Sequence, residues 1–231
     1  MKKLSFPAVL LAFVVSAATP GFSSTVAYEQ ALQITGNQDW FGALGMDFQV
    51  LQSIVVTQIG VFSKNAYGQE FASPGTNLNA TIFSTTGFSA TNGTIVAGTE
   101  VSFQAATETT YSVTQNWIFQ SITPVVLLPG YYTIVAQGYN ASDRNGNVSG
   151  GLPASTENGS GGSVLFGGGS RYESLFPDSL PNPVHFPATL DGGPSNRYYA
   201  GNFQYVVPEP VSMLLIGTGL LAFAFRARRR S

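Results

Sequence analysis

Between Tyr28 and Val207 no stretch holds an apolar period of 3.6 residues over the length of a helix, whereas segment after segment alternates apolar and polar residues with period two. A period of two sends successive side chains to opposite faces of a strand, so such a chain builds sheets with one buried and one wet face. The alternation runs through residues 46–50, 54–62, 78–83, 98–103, 117–120, 125–128, 131–138 and 197–207, the last broken at Gly201. Turn chemistry separates these segments: Ser73-Pro74-Gly75, Asn92-Gly93, Asn145-Gly146, and Pro129-Gly130, which carries a type II signal. A further turn is expected between Gln120 and Val125. The pattern predicts an all-β body, an antiparallel β-sandwich of jelly-roll-like layout. No internal repeat is visible.

The stretch from Ala141 to Pro194 has another texture, with glycine clusters at 150–151, 159–162, 167–169 and 192–193 and prolines between them. It predicts a long surface insert carrying at most short strands, such as residues 163–166. The chain has no cysteine, so disulfides, thiolate metal sites and cysteine nucleophiles are excluded. Lys64, Arg144, Arg171 and Arg197 face eleven acids between Tyr28 and Val207, which leaves the body near −7 although the whole chain is −2. That balance excludes a nucleic-acid partner, which requires clustered Lys and Arg.

Both ends differ from the body. Lys2 and Lys3 precede an apolar stretch from Leu4 to Ala18, followed by small residues, the layout of a secretory signal peptide. Residues 1–27 are assigned to it, with cleavage after Ala27 or after Ala18, and the Sec translocon and a signal peptidase as partners. At the other end stand Pro208, Glu209 and Pro210, two prolines that hold an extended segment. An uncharged run follows, containing Val211, Leu214, Leu215, Ile216, Gly217, Gly219, Leu220, Leu221, Phe223 and Phe225. As a helix the run 211–225 spans roughly 22 Å, against about 30 Å of hydrocarbon core. Thinning and snorkelling close that gap. Arg226, Arg228, Arg229 and Arg230 then form a stop-transfer cluster that holds the C-terminus on the cytoplasmic side.

The three parts, in this order over residues 207–231, closely resemble the PEP-CTERM sorting signal of Gram-negative bacteria. The resemblance implies recognition by an exosortase, an integral-membrane cysteine protease that cleaves near the motif. It further implies a transient inner-membrane anchor and delivery to the cell surface or extracellular matrix, in species that make exopolysaccharide and biofilm. Residues 28–206 form the exported β-sandwich domain in this reading.

Catalytic chemistry is thin. His185 is the one conventional base and lies in the proline-rich loop from Pro181 to Pro187; no serine sits in a Gly-x-Ser-x-Gly elbow. Asp143, Asn145 and Asn147 place oxygens at alternate positions, as a calcium loop begins, but Val148 and Ala154 stand where that loop needs Gly and Glu. The tandem pairs Tyr131-Tyr132 and Tyr198-Tyr199 are candidate carbohydrate contacts, because on a strand one of each pair faces outward. The sequence therefore reads as a non-catalytic exported surface or matrix protein, with no cofactor. The alternatives are a carbohydrate-binding module, a tail-anchored periplasmic protein and a divergent enzyme.

Overall fold

The computed structural model describes residues 24–29, 36–62, 77–104, 112–114, 117–141, 143–148, 156–157, 162–167, 169–173, 184–194 and 196–208. Residues 1–23 and 209–231 lie outside the described residues, and with them all but residues 24–27 of the export segment assigned to 1–27, the membrane run and the arginine cluster. The strands are β1 (Thr25–Val26), β2 (Tyr28–Glu29), β3 (Leu44–Val50), β4 (Ile54–Phe62), β5 (Asn77–Thr85) and β6 (Thr94–Ile95). Then come β7 (Val101–Gln104), β8 (Ser112–Thr114), β9 (Trp117–Leu127), β10 (Gly130–Gln137), β11 (Gly146–Asn147) and β12 (Thr156–Glu157). The last are β13 (Val164–Leu165), β14 (Ser170–Tyr172), β15 (Thr189–Leu190), β16 (Tyr198–Tyr199) and β17 (Gly201–Val206). Among the described residues no helix occurs, and every principal strand pairing is antiparallel.

Two sheets carry the body. The first has the order β1-β17-β4-β9-β8; the second runs β15-β14-β3-β10-β5-β6, with β13 also on β3 and β7 also on β5. They meet across an aromatic core. Phe48 of β3 lies 4.8 Å from Phe203 of β17, ring centre to ring centre, and Tyr28 meets Trp117 edge-on at 5.1 Å. At Gly201 the layers approach so closely that an added Cβ would sit 2.9 Å from Ile134 Cγ1 and 3.2 Å from the Val135 carbonyl carbon. The Tyr139 hydroxyl stitches the same place, donating to Ala200 O at 2.6 Å and accepting from Phe62 N at 3.0 Å. With no disulfide in the chain, these contacts and the ladders hold the layers together.

Four features differ from the sequence reading. First, the turn expected between Gln120 and Val125 is absent, because β9 runs on through it. Pro124 fits since β4 shifts register against β9 between Val56 and Gln58. A proline without N–H is tolerated at a bulge or on an unpaired side. Second, Gly130 is not among the left-handed glycines (Gly87, Gly98, Gly138 and Gly162), so Pro129-Gly130 does not form the type II turn; Gly130 opens β10 opposite Val50. Third, the closing segment breaks at Ala200 instead of Gly201: the chain leaves β16, which pairs β11, and enters the first sheet as β17.

The fourth difference is the largest. The stretch read as a surface insert supplies β13 and β14, both paired with β3 inside the second sheet. From β14 the Arg171 side chain is fully buried, and its Nε donates to both oxygens of Asp47 at 2.7 and 2.8 Å. Nη1 and Nη2 donate to Ala90 O and Phe88 O, each at 2.6 Å, and the guanidinium lies 5.3 Å from the Phe186 ring centre. Thr133 completes the cluster by donating to Asp47 at 2.6 Å. Burial raises the Asp47 carboxyl above its ordinary 3.8, against the pull of the Arg171 and Thr133 hydrogen bonds. Beside this cluster Ala43, Phe83, Val135 and Val184 pack with Ile95 and Phe186 into a second apolar layer. The second sheet is thus covered on both faces along β3, whose residues are buried almost without alternation.

Candidate functional site: the C-terminal exit

The candidate site begins where the fold ends. β17 is held on both sides, its Gly201–Val206 ladder paired with β4 from Val61 to Val55 and with β1 at Tyr205 and Gln204. Val206 and Val207 are half-buried, Val207 packs against the core, and Pro208 is exposed. A core-anchored valine is therefore followed directly by an exposed proline. The N-terminal side leaves from the same end of the molecule. Thr25 pairs Tyr205, and the Ser24 and Thr57 hydroxyls share a hydrogen bond at 3.2 Å.

Glu209, Pro210, the residues 211–225 and the four arginines lie outside the described residues. The remaining candidates fall elsewhere. The expectation that each tyrosine pair turns one ring outward fails for β16. Tyr198 is 4% and Tyr199 2% exposed. The Tyr199 ring packs toward Phe62 and Trp117, and the Arg197 guanidinium covers the Tyr198 ring at 5.0 Å. Burial pushes the Tyr199 hydroxyl up to about 12 and those of Tyr28 and Tyr139 well above 10.0. On β10 both rings are half-buried: Tyr132 stacks on Phe48 and donates to Leu128 O at 2.9 Å, whereas Tyr131 meets Phe88 edge-on at 5.0 Å.

The loop read as a weak calcium candidate is a hydrogen-bonded turn. Asp143 N donates to Asn140 Oδ1 at 3.0 Å, Asn145 Nδ2 donates to Gln38 Oε1 at 2.9 Å, and Asn147 N donates to Asn37 Oδ1 at 2.7 Å. Among the described residues no group of three or more His, Asp and Glu side chains is placed to hold a metal ion. His185 is exposed and contributes its backbone N–H to Gln137 Oε1 at 3.1 Å. A shallow pocket of about 180 Å³ is lined by Ser84, Thr85, Thr86, Asn92, Gly93 and Thr94. It offers hydroxyl, amide and backbone groups but no carboxylate or imidazole.

Residues 206–230 match the family model of the PEP-CTERM protein-sorting motif. The chain carries a PEP-CTERM sorting signal. Comparison with curated proteins and with solved structures gave no match. The PEP-CTERM motif marks the chain as an exosortase substrate, exported and anchored at the membrane through its C-terminal region before processing. The matched span starts at Val206, the last residue of β17, so the PEP-CTERM signal and the folded body share a residue. No spacer intervenes. What the sequence reading missed is the Asp47–Arg171 pair. Its members lie 124 residues apart, and no local pattern marks either.

Proposed function

We propose that this chain is a non-catalytic surface or extracellular-matrix protein, delivered by exosortase processing at the Pro208-Glu209-Pro210 segment. The observation that carries this is the junction itself: Val207 packs on the core, Pro208 is exposed, and the matched signal starts at Val206. A protease needs an extended, accessible backbone, and the first exposed residue past the sheet is the first residue of the motif. The short apolar run and the arginines behind it serve as a temporary anchor with the body outside. Association with exopolysaccharide would then fall to the body's surface, where Tyr131 and Tyr132 are the half-buried rings of the four tyrosines named above.

The test is intact mass and localisation of the protein from its host, beside a variant in which Pro208, Glu209 and Pro210 are all replaced by alanine. The wild type should lack residues 211–231 and lie outside the cell, while the variant stays full-length in the inner membrane. If both keep the apolar run and remain in the membrane, the segment is only an anchor and the reading is wrong.

A further inference from the structure

Six large hydrophobic residues are exposed among the described ones, and four of them gather at the end of the sandwich where the C-terminus leaves. Leu128, 63% exposed, lies in the β9–β10 turn, and Leu51, 47% exposed, in the β3–β4 turn. Val126, 58% exposed, sits opposite Val55 on β4, which in turn sits opposite Val206 on β17, so the three valines share one face of the first sheet. Leu165, 38% exposed, is on β13 opposite Gln49, and Leu51 N donates to Ser163 O at 2.9 Å. These residues therefore ring the exit. None of residues 51–57, 121–130, 162–165 and 205–208 carries a charge, although the body as a whole is strongly acidic.

We infer that this apolar, uncharged end rests on the lipid surface while the chain is anchored, so that the body docks on the bilayer through Leu51, Val126, Leu128 and Leu165. The inference rests on the anchoring stage of the proposed function. Chain length commits the surface to lipid: only Glu209 and Pro210 separate Pro208 from the uncharged run that starts at Val211. Three residue steps reach at most about 11 Å, and interfacial apolar groups settle roughly 5–10 Å into the headgroup boundary. Once the run enters the membrane, the exit end is within contact range of it. Charge sets the orientation as well. Anionic headgroups repel the acidic remainder of the body and leave the uncharged end as the face that approaches.

Because the chain has no cysteine, single probes are clean. Full-length Leu51→Cys, Leu128→Cys and, at the opposite end, Ala141→Cys would each be labelled with an environment-sensitive fluorophore. Each is then reconstituted into phosphatidylethanolamine–phosphatidylglycerol vesicles containing nitroxide-headgroup lipid. The expected result is that the chain floats with the vesicles, probes at 51 and 128 shift to the blue and lose most of their emission, and the probe at 141 does neither. If the chain floats but all three probes behave alike, docking is refuted while anchoring stands. If the chain does not float, the anchoring reading fails and the docking inference falls with it. If quenching is absent in vesicles but Leu51→Asp with Leu128→Asp blocks C-terminal trimming in the host, the surface serves a protein partner, and the lipid assignment is overturned.

Discussion

Replacing Arg171 with methionine tests the account of the second sheet most sharply. Methionine keeps the apolar stem but removes a guanidinium that reaches Asp47, Ala90 O and Phe88 O. Asp47 is then left 1% exposed with Thr133 as its remaining donor among the bonds described. Removing one partner of a buried ion pair costs about 3–5 kcal/mol, a large share of the roughly 5–15 kcal/mol that holds a typical domain together. At a urea slope of about 2 kcal/mol per molar, the midpoint should fall by roughly 2 M. Trp40 reports on the site, since its Nε1 donates to Glu173 O, two residues from Arg171, at 3.2 Å. The assay is urea unfolding of the full chain in nonionic detergent, followed by tryptophan emission.

The pH dependence has a definite sign. The Asp47 carboxyl is already raised above 3.8 by burial, and losing Arg171 removes a group that lowers it. A raised folded value means that this contribution to stability is full below the unfolded carboxylate value and is lost as pH rises through the folded one. The penalty of Arg171→Met should therefore be largest near neutrality and shrink toward pH 4, the region of the unfolded carboxylate pKa. Adding Asp47→Leu to Arg171→Met should recover at least about 1 kcal/mol, because an apolar pair replaces a stranded charge. A single-variant loss under about 1 kcal/mol, or strict additivity of the two changes, would refute the reasoning.

Three further outcomes are expected. Tyr199 is held near 12, and Tyr28 and Tyr139 well above 10.0. Their contribution is full below 10 and lost as pH rises through those values, so phenolate absorbance and unfolding should appear together above pH 10. Gly201→Val should cost about 1–3 kcal/mol by overpacking, since its Cβ meets Ile134 and Val135, whereas Gly192→Ala, with no atom within 4 Å, should be close to neutral in the same melts. N-terminal mass of the exported form should begin at Thr19: cleavage after Ala27 would delete β1, while Ala27 N donates to Phe203 O at 2.9 Å and Tyr28 is fully buried.

Legibility in the sequence follows the range of the forces involved. β4 coincides with the alternating segment 54–62, and β10 with 131–138 to within a residue, because period and turn chemistry are local. The sorting tail is legible for the same reason, its three parts being contiguous. Pro124 misleads because proline is a breaker in most contexts, and only the bulge opposite Thr57 makes room for it. Arg171 misleads more deeply. A lone arginine among glycines reads as solvent-facing until β14 joins β3 and brings Asp47 to it. Tyr198 and Tyr199 show the limit of the period-two rule, which assigns faces but cannot tell that Arg197 closes over one ring while the core takes the other.

The position of β17 has a mechanical consequence. Antiparallel hydrogen bonds run perpendicular to their strands, so a tether pulling on the C-terminus along the strand axis loads the whole ladder in shear instead of unzipping it bond by bond. β17 is braced by β4 over six residue pairs and by β1 on its other edge. Drag on a tethered body would thus arrive at a strand paired on both of its edges, where the load is shared along the ladder.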